Sequence, residues 1–351
     1  MKSRNVIAAT IMGLASLGLT ACDPPIPPEV AAALAESTYT CVDGEAKLSS
    51  PALFSDVAMS WADSLSFSCV DPEPTMTLNQ VPSLAETDIE ISDRTAICAA
   101  KVTVPVAVEA AVLVFSNSEL ASLNVSDKSL AGILDGSIRN WNQLQGDNPG
   151  QTISNLPIKL LTETDSQALK TVEGYLSSKN LDISKSTKLT ESETLTPDNY
   201  STLEEGAMAI VPNSFAVYLG LYPASIYQGL DSDGNPILAT PDLSGIQSAS
   251  TQWKFTAADS GFTVALDPSK APVIPDGSEV APIPYQMIYP VNLNLCNDNL
   301  VARAVSRFVL RLDSQGALGL SNYAPLPEAV RVSALVSVSK GLPTPSPAPT
   351  E

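Results

Sequence analysis

The chain reads SDKSLAGILDGSIRNWN from Ser126 to Asn142, and this pattern predicts a short capped helix. Ser126 suits the N-cap position because its hydroxyl can accept a hydrogen bond from an N–H of the first turn. Gly136 offers the left-handed conformation that ends many helices. Three apolar residues have the spacing of one helix face, namely Leu130, Ile133 and Leu134. On periodicity alone, the stretch is a surface helix followed by a buried Trp141.

The first residues of the chain have the features of an export signal. Lys2 and Arg4 supply positive charge, and residues 6–19 are apolar or small but too few to span a bilayer. Leu-Thr-Ala-Cys at 19–22 resembles a bacterial lipobox, in which cleavage leaves the cysteine to be acylated. We therefore expect a signal peptide over 1–21 and a lipid anchor, palmitate included, on Cys22 at the periplasmic face or cell surface. The alternative is a plain secretory signal with a chance cysteine.

Proline-rich ends flank a central region that is long enough for a sizeable core. Residues 22–36 favour a stiff, extended tether because prolines restrict the backbone. Residues 339–351 are rich in Pro, Ser and Thr and are predicted to be disordered. The roughly 300 residues between them suffice for one large or two medium domains.

The composition excludes several classes of function. The formal charge is −19, which becomes −21 without Lys2 and Arg4, and so acidic a protein is a poor partner for nucleic acid. An anion site here would depend on local dipoles and hydrogen bonds. The absence of histidine excludes Ser-His-Asp catalysis and His-based zinc sites. We expect no enzyme activity, no cofactor and no metal.

The cysteines that follow Cys22 favour two disulfides, because their number is even and the chain is exported. They are Cys41, Cys69, Cys98 and Cys296. Three pairings are possible, and we prefer Cys41–Cys69 with Cys98–Cys296. Cys98 precedes the apolar run 102–115 and Cys296 ends the run 286–295, so these cysteines would meet if the two runs form antiparallel strands.

Apolar periodicity predicts strands that alternate with helices, which is typical of an α/β fold. Helices are predicted at 51–65, with Ser50 as N-cap, and at 166–176, 214–221 and 298–312. Strands are predicted at 75–78, 89–91, 158–161 and 207–211. The valine-rich run 102–115 is typical of a buried strand in a largely parallel sheet.

Seven separated segments resemble, in the right order, the solute-binding proteins of phosphate ABC transporters (PstS-like proteins). The helix signature, Leu-Ala-x-Ile-x-x-Gly-x-Ile-x-x-Trp-Asn, is one of them. The others are TDIEISDR (87–94), VPVAVEAAVLV (104–114), LPIKLL (156–161), GAMAIV (206–211), YP (289–290) and YAPLP (323–327).

The resemblance implies a type II periplasmic-binding-protein fold, in which two α/β lobes are joined by hinge strands and clamp the ligand between them. Lobe 1 would hold 37–108 plus 286–338, and lobe 2 would hold 109–285. It also implies a monomeric, extracytoplasmic solute-binding protein that delivers phosphate or a related oxyanion to an ABC transporter permease. Closure of the hinge around the ligand is the usual motion of such folds.

Family members hold phosphate with backbone N–H groups, hydroxyls, an arginine and an aspartate. The positions of this chain that match or adjoin those residues are Ser50, Ser83, Ser92, Asp93, Arg94 and Ser166. Asp93 falls at the family's aspartate, with Ser92 before it, and Ser166 falls at the serine of the Arg-x-x-x-Ser-Gly-Thr loop. A buried aspartate accepts a proton only from a protonated oxyanion, so it would reject sulfate.

The chain departs from the family at that last loop. Thr162, or Glu163 in a shifted register, stands where the family has its arginine, and Asp165 adds negative charge. Losing a bidentate arginine removes the strongest contact to an oxyanion. Arg94 either replaces it in part or is an exposed, ion-paired arginine. The alternative function is therefore a surface, adhesion or partner-recruiting protein built on a degenerate phosphate-binding fold.

Overall fold

The computed structural model describes residues 41–69, 75–82, 86–94, 96–162, 166–183, 193–194, 203–258, 260–273 and 282–342. Cys22, the predicted signal peptide and the tether lie outside these residues, as do residues 343–351 of the predicted tail. Among the helices in these ranges, none combines the length and the apolar composition that crossing a bilayer requires.

The strands follow one another along the chain as short segments around one long central strand. They are β1 (Gly44–Ser49), β2 (Met76–Gln80), β3 (Ile89–Ser92), β4 (Val102–Phe115), β5 (Asn124–Ser126), β6 (Lys159–Thr162), β7 (Glu193–Thr194), β8 (Ala207–Pro212), β9 (Tyr222–Pro223), β10 (Ser225–Leu230), β11 (Pro236–Ala239), β12 (Trp253–Ala258), β13 (Gly261–Leu266) and β14 (Ile288–Leu295).

The helices alternate with these strands, as expected for an α/β fold. They are α1 (Ser55–Ser68), α2 (Asp127–Asp135), α3 (Gln167–Ser178), α4 (Asn213–Tyr218), α5 (Leu243–Ser250), α6 (Leu300–Val309), α7 (Leu312–Gln315) and α8 (Glu328–Val338). Within the described ranges, three 3-10 helices accompany them, at Ala52–Phe54, Trp141–Asp147 and Gly316–Ser321.

Strand β4 belongs to two parts of the main sheet, whose order is β2-β1-β3-β14-β4-β8-β6-β7. Its first residues pair with β14, from Val102 opposite Leu295 to Ala110 opposite Ile288. Its last residues pair with β8, from Ala111 opposite Pro212 onward. We call the β1–β3 side with its helices the first half and the β6–β8 side the second half. Both halves are mixed α/β layers, and β4 crosses from one to the other.

The direction of pairing corrects one prediction from the sequence. The run 102–115 forms a strand with the predicted bounds, but the sheet around it is not largely parallel, since both β14 and β8 run antiparallel to β4. A continuous apolar run indicates a strand that is buried on both faces, and β4 is buried along its length. Burial alone does not determine whether the neighbouring strands run parallel or antiparallel to it.

The start of the first predicted helix is also corrected. A 3-10 turn over Ala52–Phe54 comes first, its N-cap is Pro51, and no side chain caps it. Helix α1 then begins at Ser55, so Ser50 is not an N-cap. The fixed φ of Pro51 suits the first position beside a helical turn, which moves the boundary past the serine.

The helix that follows β5 agrees with its sequence pattern. Ser126 is the N-cap of α2 and its Oγ accepts from the N–H of Ser129 at 3.2 Å, while Gly136 ends the helix in the left-handed region at φ 78°. Trp141 is completely buried, and its Nε1 donates to the carbonyl of Gly206 at 3.1 Å. This bond ties the helix and its following turn to the entrance of β8.

Two disulfides have the pairing preferred from the sequence. One joins Cys41 to Cys69, and the other joins Cys98 to Cys296. The second lies where β4 begins and β14 ends, because those strands are antiparallel and Val102 is opposite Leu295.

Candidate functional site

In the first half, parallel strands bring polar residues to one edge of the sheet. Strands β1 and β3 pair in parallel with Ser49 opposite Glu90, so Ser50 leaves β1 close to the level at which β3 reaches Ser92. Asp93 and Arg94 follow directly. The carboxyl ends of parallel strands are where α/β folds place their ligands.

In the second half, β6 and β8 are also parallel, with Leu161 opposite Ala209. Both strands end toward the same edge, where Ser166 and Ser214 follow them. Since Pro212 at the end of β8 lies opposite Ala111 of β4, this edge faces the point at which β4 crosses between the halves. Polar residues of both halves therefore converge on the crossing point.

The crossing strands place two polar side chains at this point. Glu109 of β4 lies directly opposite Tyr289 of β14 in the antiparallel ladder. Each side chain belongs to a residue that is only 3 % exposed. A carboxyl group and a phenol are thus buried together between the two halves.

The aspartate–arginine pair lies nearer to solvent than this buried pair. The side chain of Asp93 is 28 % exposed and that of Arg94 is 57 % exposed, with 3.7 Å between Asp93 Oδ1 and Arg94 Nε. A pair this exposed contributes little to stability. Arg94 is thus exposed and paired with its neighbour, and its predicted role as a ligand contact stays a prediction.

Ser92 fixes the turn that carries Asp93. Its Oγ accepts from the N–H of Arg94 at 3.1 Å and donates to the carbonyl of Arg94 at 3.3 Å. Such local bonds are typical of serine in turns. They hold the backbone of the turn at the end of β3.

Ser166 is the N-cap of α3, where its Oγ accepts from the N–H of Leu169 at 3.1 Å. The hydroxyl proton is left to donate elsewhere. Thr162, which stands at the family's arginine position, is buried at the end of β6. Ser83, Glu163 and Asp165 lie outside the described residues.

Burial raises the pKa of Glu109 from 4.5 to about 7. Hydrogen bonds from Ser214 and from the N–H of Ala110 act in the opposite direction, and the negative charge of Asp93 raises the pKa further. The Glu109 Oε1 accepts from the Ala110 N–H at 2.8 Å and from the Ser214 N–H at 3.3 Å. Glu109 therefore changes its charge near neutral pH.

Two tyrosines complete the cluster and stay protonated. Burial raises the pKa of Tyr289 well above 10, and the charges of Glu109 and Asp93 raise it too. Burial also raises the pKa of Tyr323, with Glu109 as the next cause, while a hydrogen bond with Ser214 lowers it. We call Asp93, Glu109, Ser214, Tyr289 and Tyr323 the crossing cluster.

Reasoning from sequence placed only Asp93 of the crossing cluster in the site. Glu109 was detectable as the one charged residue within the apolar run 104–114, since a buried charge in a strand is rare without a partner or a function. Tyr289 and Tyr323 lie in segments that carry the family resemblance but were not assigned a role. Ser214 became visible only through the register of β8 with β4.

Cavities flank the crossing cluster. One of about 280 Å³ lies between α3, the β12–β13 hairpin and β14, and Gln167, Trp253 and Tyr289 are among its lining residues. Another of about 180 Å³ is lined by residues that include Asn213 and Tyr323. Tyr289 and Tyr323 of the cluster therefore each border a cavity.

One group of possible metal ligands occurs in the described part of the first half, where β4 begins and β14 ends. It contains Glu90, Cys98 and Cys296, but the two sulfur atoms are bonded to each other. The Glu90 carboxylate accepts from the N–H groups of Ile97 and Cys98 at 3.0–3.1 Å. Glu90 thus holds the loop that carries the disulfide.

Comparison with known proteins agrees with this architecture. The model of the family described as "PBP superfamily domain" matches residues 75–290. A search of the curated proteins finds no match.

Several solved structures share the fold at low sequence identity. The periplasmic phosphate-binding protein PfluDING, with phosphate bound, is 13 % identical, with a TM-score of 0.55 over 86 % of this chain and 100 % of its own. An ancestral soluble variant of the human phosphate-binding protein is 13 % identical, with a TM-score of 0.54 over 86 % of this chain and 100 % of its own. A third structure is of a protein from Clostridium perfringens that is assigned as a phosphate ABC transporter substrate-binding protein and also holds phosphate. It is 13 % identical, with a TM-score of 0.51 over 81 % of this chain and 100 % of its own. The predicted periplasmic-binding-protein fold is confirmed.

Proposed function

The chain belongs to the PBP superfamily, and from this premise we propose that it is a lipid-anchored, extracytoplasmic solute-binding protein of an ABC transporter. We place the solute between the two halves, over the crossing cluster. Phosphate or a related oxyanion is the proposed solute, because the similar structures named above are of phosphate-binding proteins. The proposed partner is the permease of the transporter.

The position of Asp93 is the observation that carries this proposal. It follows β3 at the edge where the strands of both halves end, and its charge acts on Glu109, Tyr289 and Tyr323. An ionised carboxylate can only accept hydrogen bonds. A ligand on Asp93 must therefore bring a proton, as monohydrogen or dihydrogen phosphate does.

A hydroxyl of the second half would provide a donor for the oxygen atoms of the ligand. Ser166 Oγ accepts from the N–H of Leu169 at the start of α3, so its O–H can donate to a ligand where the helix N-terminus adds positive potential. Ser214, in α4 directly after β8, is hydrogen-bonded to Glu109 and would act through that carboxyl group. These groups would compensate in part for the missing arginine at position 162.

The charge of the site favours a second candidate function. Asp93 and the buried Glu109 place two acids at the crossing point, whereas Arg94 is largely exposed and pairs with Asp93, and Thr162 offers no charge. A site of this kind is a poor attractor for an anion at neutral pH. The second candidate is a surface or partner-recruiting protein that has kept the fold and lost the transport ligand.

Calorimetry on the purified mature chain in detergent distinguishes the two functions. Phosphate, phosphonate, sulfate and small sugars are titrated in turn, and we expect heat from phosphate but none from sulfate. Asp93→Asn should weaken phosphate binding by at least about tenfold, which corresponds to ~1.4 kcal/mol. The matched control is Asp63→Asn, an exposed aspartate of α1, which should bind like the wild type.

Silence toward every anion would support the second candidate. Unchanged phosphate affinity in Asp93→Asn would remove Asp93 from the site while leaving the ligand in place. The anchor is tested separately, because intact-mass spectrometry should find acyl chains on the mature N-terminus and Cys22→Ala should lack them.

A further inference from the structure

Glu109 has a position that stability alone does not explain. It lies in the middle of β4, among residues that are otherwise apolar from Val104 to Val114, and it is 3 % exposed. A buried carboxyl group costs free energy in its charged form unless partners compensate. Its carboxylate accepts from two backbone N–H groups, those of Ala110 and Ser214, and shares a hydrogen bond with the Ser214 side chain.

Tyr289 presents a buried polar atom that lacks a partner. Its hydroxyl is inaccessible to solvent and forms no hydrogen bond among the residues that the structure describes. Tyr289 lines the 280 Å³ cavity and lies opposite Glu109 in the ladder. Buried hydroxyls nearly always have a partner, so this one indicates a group that arrives from outside the chain.

The charge of Asp93, a more exposed residue, acts on the two buried side chains. Exposure falls from Arg94 at 57 % to Asp93 at 28 % and then to the buried Glu109 and Tyr289. A small polar ligand on Asp93 would therefore bind next to a group that is electrostatically coupled to both Glu109 and Tyr289.

We propose that Glu109 is a further ligand-binding residue of this cleft, and that it binds an oxyanion as a carboxylic acid whose O–H donates to a ligand oxygen beside the Tyr289 hydroxyl. The inference rests on the proposed function, because it assigns a second protein contact to the same oxyanion. In this arrangement Asp93 accepts the ligand's own proton, and Glu109 and Tyr289 donate to its bare oxygen atoms.

The proton count follows directly. When Glu109 is ionised in the free protein, one proton from solvent joins its carboxylate as the oxyanion binds, and that proton stays on the Glu109 oxygen while it bridges to the ligand. The pKa of Glu109, raised to about 7 by burial, sets the pH above which this uptake is needed.

Among the described residues, the titratable groups whose charge is coupled to that of Glu109 are Asp93, which follows β3, Tyr289 on β14, and Tyr323, which follows the 3-10 helix Gly316–Ser321. Arg94 acts on Tyr289. Helices α4 and α5 contain no charged residues.

The other two helices that pack on β4 carry charges that are paired locally. On α8, Arg331 pairs with Glu328 at 2.6 Å, and on α3, Lys170 acts on Glu173. Neither pair contributes to the raised pKa of Glu109, whose causes are burial, its hydrogen bonds and the charge of Asp93.

Calorimetric titration with inorganic phosphate measures the proton directly. Observed heats in buffers of different ionisation enthalpy give the protons taken up per phosphate bound, for the wild type and for Glu109→Gln. Phosphate also gains or loses a proton in this pH range. Subtracting the proton count of Glu109→Gln from that of the wild type removes this contribution of the phosphate. At about pH 8 the wild type should take up close to one proton more than Glu109→Gln, and near pH 5 the two should agree.

The affinities give a second readout. Between about pH 7 and 9, the phosphate Kd of the wild type should rise by about tenfold per pH unit relative to that of Glu109→Gln. Equal proton counts and parallel Kd profiles would overturn the inference and leave the proposed function standing. No phosphate binding by either protein at any pH would instead remove the proposed function.

Two further measurements keep the inference testable if Glu109→Gln does not fold. In the wild type, infrared difference spectra at about pH 8 should gain the C=O band of a protonated carboxyl group when phosphate is added, and an unchanged carboxyl region would contradict the assignment. Tyr289→Phe should weaken phosphate binding by several-fold at every pH without changing the proton count, and unaltered affinity would exclude the hydroxyl as a ligand contact.

Discussion

At the residue scale, the properties of Glu109 depend on burial more than on its neighbours. The same carboxyl group on an exposed strand would remain ionised above pH 5. Here the apolar surroundings of β4 hold the proton to near neutrality, and the nearby Asp93 strengthens the effect. The consequence is a residue whose charge state is linked to folding as well as to binding.

The pH dependence of stability tests this linkage without any ligand. Because the folded protein keeps a proton on Glu109 that the unfolded chain releases, stability falls as pH rises from about 4.5 to about 7 and is constant with respect to Glu109 above that range. Glu109→Gln lacks this loss. We therefore compare the free energy of unfolding of Glu109→Gln with that of the wild type at each pH. The difference should favour the variant by roughly 3 kcal/mol more at pH 8 than at pH 4.

Urea denaturation at the two pH values measures that difference. Glu45→Gln is the control, because Glu45 is exposed on β1 and should show no comparable dependence. A pH-independent difference between Glu109→Gln and wild type would mean that Glu109 titrates normally.

Single residues were predictable from sequence where the signal is local. Ser126, Gly136 and the buried Trp141 follow from capping chemistry and periodicity, and all three take the expected roles. Ser214 was not predictable in this way, because its place beside Glu109 depends on how β8 pairs with β4. That register is set by contacts about a hundred residues apart in sequence.

At the scale of elements, α2 tests how much a single cap contributes. Ser126→Ala removes the bond to the Ser129 N–H and should lower the free energy of unfolding by ~1 kcal/mol. Lys128→Ala, an exposed change in the same first turn, is the control and should be nearly neutral or slightly stabilising. Chemical denaturation of the wild type and the two variants measures these differences. Equal stabilities of all three would show that the cap is dispensable.

The β12–β13 hairpin tests a close approach of two strands. Gly261 pairs with Thr103 of β4, and a Cβ on Gly261 would lie 2.1 Å from the Thr103 carbonyl oxygen. Gly261→Ala should therefore push the hairpin away from β4 and destabilise the protein by at least ~2 kcal/mol more than Gly229→Ala. Gly229 has a similar positive φ, 121° against 132°, but open space around its Cβ position, so the comparison isolates the clash from backbone strain.

Thermal unfolding of these two glycine variants gives the result. Equal losses of stability would show that the hairpin adjusts freely and that Gly261 is needed only for its φ.

Periodicity alone identified neither strand of this hairpin. Both are half-exposed and lack a strong apolar run, which is why β4, buried along its length, was predicted with its bounds and the hairpin was not.

At the scale of the whole molecule, the two disulfides should differ in strength because they close loops of different length. Cys98 and Cys296 are 198 residues apart, against 28 for Cys41 and Cys69. In the chain-entropy account, breaking the longer loop should cost roughly 2 kcal/mol more. Denaturation of Cys98→Ala/Cys296→Ala and of Cys41→Ala/Cys69→Ala measures this, and the opposite order would contradict it.

Topology was predictable in outline and not in detail. The family resemblance implied two halves joined by crossing strands, and the antiparallel approach of residues 286–295 to 102–115 motivated the disulfide pairing. The direction of β8 relative to β4 was not predictable, because a fully buried strand has the same composition whichever way its neighbours run. The predicted lobe bounds, 37–108 plus 286–338 and 109–285, stay a prediction.

The bridge between Cys98 and Cys296 also restricts how the molecule can deform. It fastens β4 to β14 at the end farthest from the second half, so the two strands cannot shear past each other. If the halves move against each other, the ladder would bend beyond the fastened end, around Glu109 and Tyr289. Under the proposed function, the residues that bend and the residues that we propose bind the solute would then be the same.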